Sequence, residues 1–269
     1  KFDNHKNMIA NKELFKAIDR ENLLLIRTEI QNGAEPNEKN GYGDTAMHFS
    51  ITKGNLEILK LLLELGGDIN AKNQEGVSLL LQSIGEEKFE LSHFLIENKA
   101  DVNLQGKESE SPIHIASRLG NNGLVKKLIQ KGAVVNVTDN RLWTPLHYVG
   151  YLDNPNLEVV ETLIENGADL NAKDNGGRTC LHYVAMKEGK PKDIKLAGLI
   201  TNQQNIYIQD NDGNTALHFA AEDSSLKMVE CLISKGADLS LRNSRGETPA
   251  GLAELANRKA IRKVLNSGK

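Results

Sequence analysis

The sequence predicts an all-α protein in which short helix pairs repeat along the chain, and three observations carry that reading. A four-residue motif recurs: Thr45-Ala46-Met47-His48, Ser111-Pro112-Ile113-His114, Thr144-Pro145-Leu146-His147, Thr179-Cys180-Leu181-His182 and Thr215-Ala216-Leu217-His218. Ser78-Leu79-Leu80-Leu81 fills the 33-residue slot after the first copy, and Thr248-Pro249-Ala250-Gly251 is a decayed last one. A second signature trails the motif: GGDIN at 66–70, KADVN at 99–103, GAVVN at 132–136, GADLN at 167–171 and GADLS at 236–240. Between the two, apolar residues fall at helical spacing, and a fixed period of this kind marks a repeat architecture.

Each element of one repeat has a local cause. Thr144 can cap the free N–H groups at a helix start, and Pro145 suits the first helical turn, where its missing N–H costs nothing. Leu157, Val160, Leu163 and Ile164 give a second helix one apolar stripe, and Gly167 ends it, because glycine adopts the left-handed conformation freely. A single pair cannot enclose that stripe, so neighbours must stack.

The motifs resemble the ankyrin-repeat family, whose repeat reads roughly G-x-T-P-L-H-x-A-A, a second apolar helix, then G-A-D-V-N. The likeness runs over nearly the whole chain. It implies two antiparallel helices and a hairpin-like finger per repeat, stacked into a curved solenoid. On this reading 1–40 is an N-terminal capping repeat, six full repeats follow at 41–73, 74–106, 107–140, 141–175, 176–211 and 212–244, and 245–269 is a C-terminal cap carrying Arg258, Lys259, Arg262 and Lys263. Capped ends imply a complete solenoid, while a first residue other than methionine suggests excision from something longer. Lys99 and Gln203 stand where other repeats have the helix-ending glycine, so both are expected in the left-handed region.

Composition bounds the function. With 39% hydrophobic and 26% charged residues and a net charge of −3, the chain reads as soluble and globular, without the basic excess that favours nucleic acid or anionic membrane. Apolar runs such as Leu61-Leu62-Leu63 fall far short of the ~20 residues that span a bilayer, and no signal core opens the chain. Cys180 and Cys231, far apart, read as reduced thiols of a cytoplasmic protein.

No chemistry-bearing constellation emerges. His48, His114, His147, His182 and His218 share one slot of successive repeats; packed helices lie ~8–10 Å apart while zinc needs nitrogens within ~2 Å, so they cannot converge on an ion. The family resemblance gives this histidine hydrogen bonds that tie the turn to the neighbouring repeat. No nucleophile elbow, zinc-protease, P-loop or dinucleotide motif is present. The expectation is a non-enzyme with no cofactor and no metal.

Recognition is sought where the repeats differ. By the resemblance, partner-facing positions flank the turn glycine of each finger and end each first helix. Mapped onto the third to fifth full repeats they give Glu108, Glu110, Arg118, Leu119, Arg141, Trp143, Tyr151, Leu152, Arg178 and Met186, and Leu142 joins them where four other full repeats have glycine. Leu119, Trp143, Tyr151, Leu152 and Met186 are expected to form an apolar patch on the concave face beside Arg118, Arg141 and Arg178, the residue types enriched at hot spots. Leu142-Trp143 reads as an anchor presented by a finger; packing of Trp143 against the neighbouring finger is the alternative. Acidic positions flank the patch (Glu75, Glu86, Glu108 and Glu110 on one side, Asp212, Glu222 and Asp223 on the other), which suits a protein or peptide with an apolar centre and basic ends.

The expected function is therefore a protein-interaction module that grips a peptide or protein surface in its groove, with no nucleic-acid partner and no membrane insertion. Two alternatives stand beside it. One is a regulatory or targeting segment of a larger enzyme or of a secreted bacterial effector working in a host cytosol, consistent with the richness in asparagine, lysine and isoleucine. The other is a methyl-lysine reader in which Trp143, Tyr148 and Tyr151 beside Glu110 surround a quaternary ammonium.

Overall fold

The protein is described by a computed structural model covering residues 2–223 and 225–267. Sixteen α-helices occur among the described residues: α1 (Phe2–Asp19), α2 (Leu23–Gln31), α3 (Ala46–Lys53), α4 (Leu56–Glu64), α5 (Leu79–Gly85), α6 (Phe89–Glu97), α7 (Pro112–Arg118), α8 (Asn122–Gln130), α9 (Pro145–Tyr151), α10 (Leu157–Glu165), α11 (Cys180–Ala185), α12 (Pro191–Ile200), α13 (Ala216–Asp223), α14 (Leu226–Ser234), α15 (Pro249–Leu255) and α16 (Lys259–Ser267). Extended pairing among the described residues is limited to two isolated bridges, Lys39 with Thr45 and Lys72 with Ser78. The fold is all-α.

The chain divides into two compact units, one running through Ile115 with Gln130–Ala133, the other comprising Ala116–Ile129 and everything described from Val134 onward. In the first, α1 packs on α3 and α3 on α5, while α2 packs on α4 and α4 on α6. In the second, α9, α11, α13 and α15 form one row and α10, α12, α14 and α16 the other. Each row buries the stripe of the next. Leu59, Leu62, Leu80 and Ile84 are sealed in the first unit, and Val160, Leu163, Leu181 and Leu232 in the second; such residues each contribute about 1.5–3 kcal/mol.

Helix starts and stops follow the sequence signals. Thr45, Ser78 and Thr248 accept from backbone N–H groups three residues on, at 3.4, 3.3 and 3.3 Å. Gly167 closes α10 at φ +84° with its N–H on the Ile164 carbonyl. Lys99 takes the left-handed conformation expected of it, φ +68°. Gln203 does not, which corrects the expectation. There α12 ends early at an extended Thr201, and Asn202 and Asn205 cap each other's backbone N–H ahead of a short 3-10 turn at Asn205–Tyr207. The side-chain amides replace the glycine turn, so no left-handed residue is needed.

Candidate partner-binding site

The slot histidines are structural. His48, His114, His147, His182 and His218 are all buried. In His147, Nδ1 accepts the backbone N–H of Thr144 at 3.1 Å, which places the ring proton on Nε2, 3.2 Å from the Arg178 carbonyl in the next finger. His48, His182 and His218 repeat the link to the carbonyls of Val77, Asn214 and Glu247 at 3.0–3.1 Å. Burial pulls the pKa of each of these four below its ordinary value, and that of His182 to about 4, against the opposing effect of the carbonyl bonds. Neutral rings suit this role.

The fingers turn on a second recurring residue. Asn40, Asn73, Asp139, Asp174, Asp210 and Asn243 each accept from the N–H groups two and four residues on, an Asx turn that shapes the loop. In the second unit three successive fingers carry Asp, leaving a charged second oxygen inside the stack. Asp139 receives the Tyr148 hydroxyl at 2.9 Å and the Arg141 guanidinium at 3.1 and 3.2 Å. Asp174 receives the Trp143 indole N–H at 3.2 Å and the Tyr183 hydroxyl, and Asp210 the Arg178 Nε at 3.4 Å. Burial works to raise the pKa of Asp139 and Asp174, but the converging donors prevail and hold both below the usual carboxylate range. The tyrosine bonded to Asp174 is driven the other way by burial and that bond, to about 12.

This network settles where the tryptophan goes. Trp143 is 7% exposed, with ring centroids of Tyr148, Tyr151 and Tyr183 at 5.4, 5.3 and 5.0 Å and the Arg141 guanidinium 4.0 Å over its ring. The expectation of an exposed indole anchor is thereby corrected: Asp174 satisfies its N–H and three tyrosines cover its faces and edges, so Trp143 packs into the stack. The aromatic cage fails for a related reason. Tyr148 is buried with its hydroxyl on Asp139, and Arg141 of this same chain already occupies the cation position on Trp143.

Other expected residues do reach the surface. Tyr151 lies over Trp143 and is 62% exposed. Leu152, Tyr183 and Met186 are half-buried beside it, and with Arg178 they line a cleft of about 590 Å³ whose far rim holds Lys187 and Asp193. The lengthened turn between α11 and α12 is fixed by this rim: Lys187 donates to the Leu152 carbonyl and lies 3.9 Å from buried Asp193, which caps the Lys190 N–H at 3.0 Å. Leu142 stands at the fingertip at φ +58°, 45% exposed, and Arg141 beside it is exposed. Arg118 is exposed and Leu119 half-buried in the second unit, outside the residues lining the cleft. Glu108 and Glu110 belong to the first unit, exposed and half-buried.

Tyr183 and the three finger aspartates escaped the sequence reading. A signal existed: tyrosine follows the motif histidine at 148 and 183, where Phe49 and Phe219 stand elsewhere, and in those fingers Asp replaces Asn. In those two fingers the extra hydroxyl and the extra charge satisfy each other, whereas Asp210, followed by Phe219, is met by Arg178 instead.

The family profile for ankyrin repeats in three copies matches residues 80–174, 113–197 and 181–269, and a second, for ankyrin repeats in many copies, matches 14–63. The chain belongs to the ankyrin-repeat family. No curated protein sequence matches it. Ankyrin repeats are generally protein–protein interaction modules and typically not enzymes. In this ankyrin-repeat protein no helix among the described residues is long and apolar enough to cross a membrane.

Proposed function

We propose that this ankyrin-repeat protein binds a protein or peptide partner in the second unit, at the cleft beneath Tyr151. The observation that carries the reading is an exposed aromatic seated on a buried, fully hydrogen-bonded support. Tyr151 is held against Trp143, which is locked by Asp174, so little side-chain freedom remains to be lost on binding. Leu152 and Met186 extend its apolar surface and Arg178 borders it, the mixture that hot spots favour. Trp143 acts as a positioning residue rather than a contact, and Arg141 and Leu142 display the finger it stiffens.

Peptides enriched from a displayed random library on the wild-type protein provide the test. Combined Tyr151→Ser and Met186→Ser substitution is expected to weaken them at least tenfold, as loss of central contacts does. Equal binding to the doubly substituted protein would remove the cleft as the site.

A further inference from the structure

Beyond the cleft, the same face changes character from one helix to the next. Tyr151, Met186, Glu222 and Leu255 each follow by three residues the position after the motif histidine, or its counterpart, on α9, at the C-terminal cap of α11, on α13 and on α15, and these helices pack in that order. Arg178, which lines the cleft, has its guanidinium 5.1 Å from the ring of Phe219, one turn before Glu222 on α13, so the cleft and the start of the acidic surface are joined through one side chain. The cleft, where Tyr151, Leu152, Tyr183 and Met186 stand among Asp153, Arg178, Lys187, Glu188, Lys190 and Asp193, is followed along the row by Glu222 and Asp223, and then by Leu255, which is 72% exposed.

The carboxylates are badly placed for the fold itself. Glu222 and Asp223 end α13, where the helix dipole is negative and favours a cation. Asp223 is exposed and Glu222 half-buried, and Asp212, at the tip of the preceding finger, adds a second exposed acid to this repeat. Nearby acids on the neighbouring repeat are neutralised within the chain: Glu247 pairs with Arg245 at 2.9 Å and Glu254 with Arg262 at 3.1 Å. Lys187 and Arg178 on the other side are committed to Asp193 and Asp210. Among the described residues no cation forms an ion pair with Glu222, Asp223 or Asp212, which leaves their charge open to a partner.

We propose that the partner is a basic polypeptide segment, with an apolar side chain in the Tyr151–Met186 cleft, lysine or arginine side chains against Glu222, Asp223 and Asp212, and a second apolar contact at Leu255. The proposal rests on the cleft being the partner site, and its experiment separates the two. Peptides selected from the displayed random library on the wild-type protein are expected to pair an apolar residue with Lys or Arg, and to bind more weakly as sodium chloride rises. Joint Glu222→Gln and Asp223→Asn substitution should weaken them roughly fivefold, chiefly through association rate. The salt series needs no variant, so it stands even if the substituted helix frays.

Loss of binding in the Tyr151→Ser, Met186→Ser protein together with salt-independent binding, or with full retention by the neutralised protein, would overturn the basic segment and keep the cleft. Indifference to the cleft substitutions would overturn both. A library yielding no peptide, or only acidic ones, likewise ends the proposal.

Discussion

At the residue scale, two neighbouring aromatics divide the labour of support and display. The chain has one tryptophan, so its fluorescence reports Trp143 alone. Sealed by three tyrosines, it should emit to the blue and resist acrylamide quenching in the native protein; emission like that of free indole in water would contradict its burial. Trp143→Ala leaves a large cavity and deprives Asp174 of a donor, so a stability loss of about 3–5 kcal/mol is expected in denaturant unfolding. Tyr151→Ser removes a largely exposed ring that still packs on Trp143 and Tyr183, and should lower stability by about 1 kcal/mol, well short of the Trp143→Ala loss, while costing partner binding. A sequence reading singles out both aromatics by their departure from the repeat but cannot separate them. Which one faces solvent depends on Asp174, Tyr183 and Arg141, partners that come from three different loops and helices and acquire meaning only once these are stacked.

At the scale of elements, the repeating parts were legible and the exceptional ones only partly so. Helix caps, the stripe burying Val160 and Leu163, and the histidine link from one finger to the next recur with a period, and each copy testifies to the others. The end of α12 has no such support, because two asparagine side chains outcompeted the glycine turn. The finger of Leu142 lies between these cases. Five other fingers place glycine here at φ +75 to +83°, whereas Leu142 adopts φ +58° with a side chain that suffers in this region. Leu142→Gly should therefore stabilise the protein by about 1 kcal/mol, read as a higher denaturation midpoint. A lower midpoint would show that the leucine packs usefully at rest. The expected gain marks a residue retained against the interest of the fold, as partner-facing residues are.

For the whole molecule, the histidine column couples stability to pH in both units, since His48 lies in the first and His147, His182 and His218 in the second. Burial favours the neutral ring in every one, so the folded pKa lies below the ordinary 6.5 that the unfolded chain retains. Below pH 6.5 the unfolded chain takes up protons that the native state refuses. Stability is therefore complete above that value and declines as pH falls toward the folded pKa, where the native rings charge in turn. For His182, with a folded value of about 4, the loss amounts to about 3 kcal/mol between pH 6.5 and 4. The depressed Asp139 and Asp174 add a separate loss, beginning as pH approaches the ordinary carboxylate value of 3.8 and continuing below it. Denaturant unfolding from pH 7.5 to 5.5 isolates the histidines, because the depressed carboxylates Glu13, Asp139, Asp174 and Asp238, with ordinary values of 4.5 and 3.8, stay ionised in native and unfolded chains over that range. A midpoint that falls steadily below pH 6.5 is expected, and a flat profile would mean that the rings are not held neutral by burial. Mild acid should then loosen finger and helix contacts at every histidine together, including the Trp143 support on which the partner surface depends, so binding at the Tyr151 cleft is expected to weaken in step with stability.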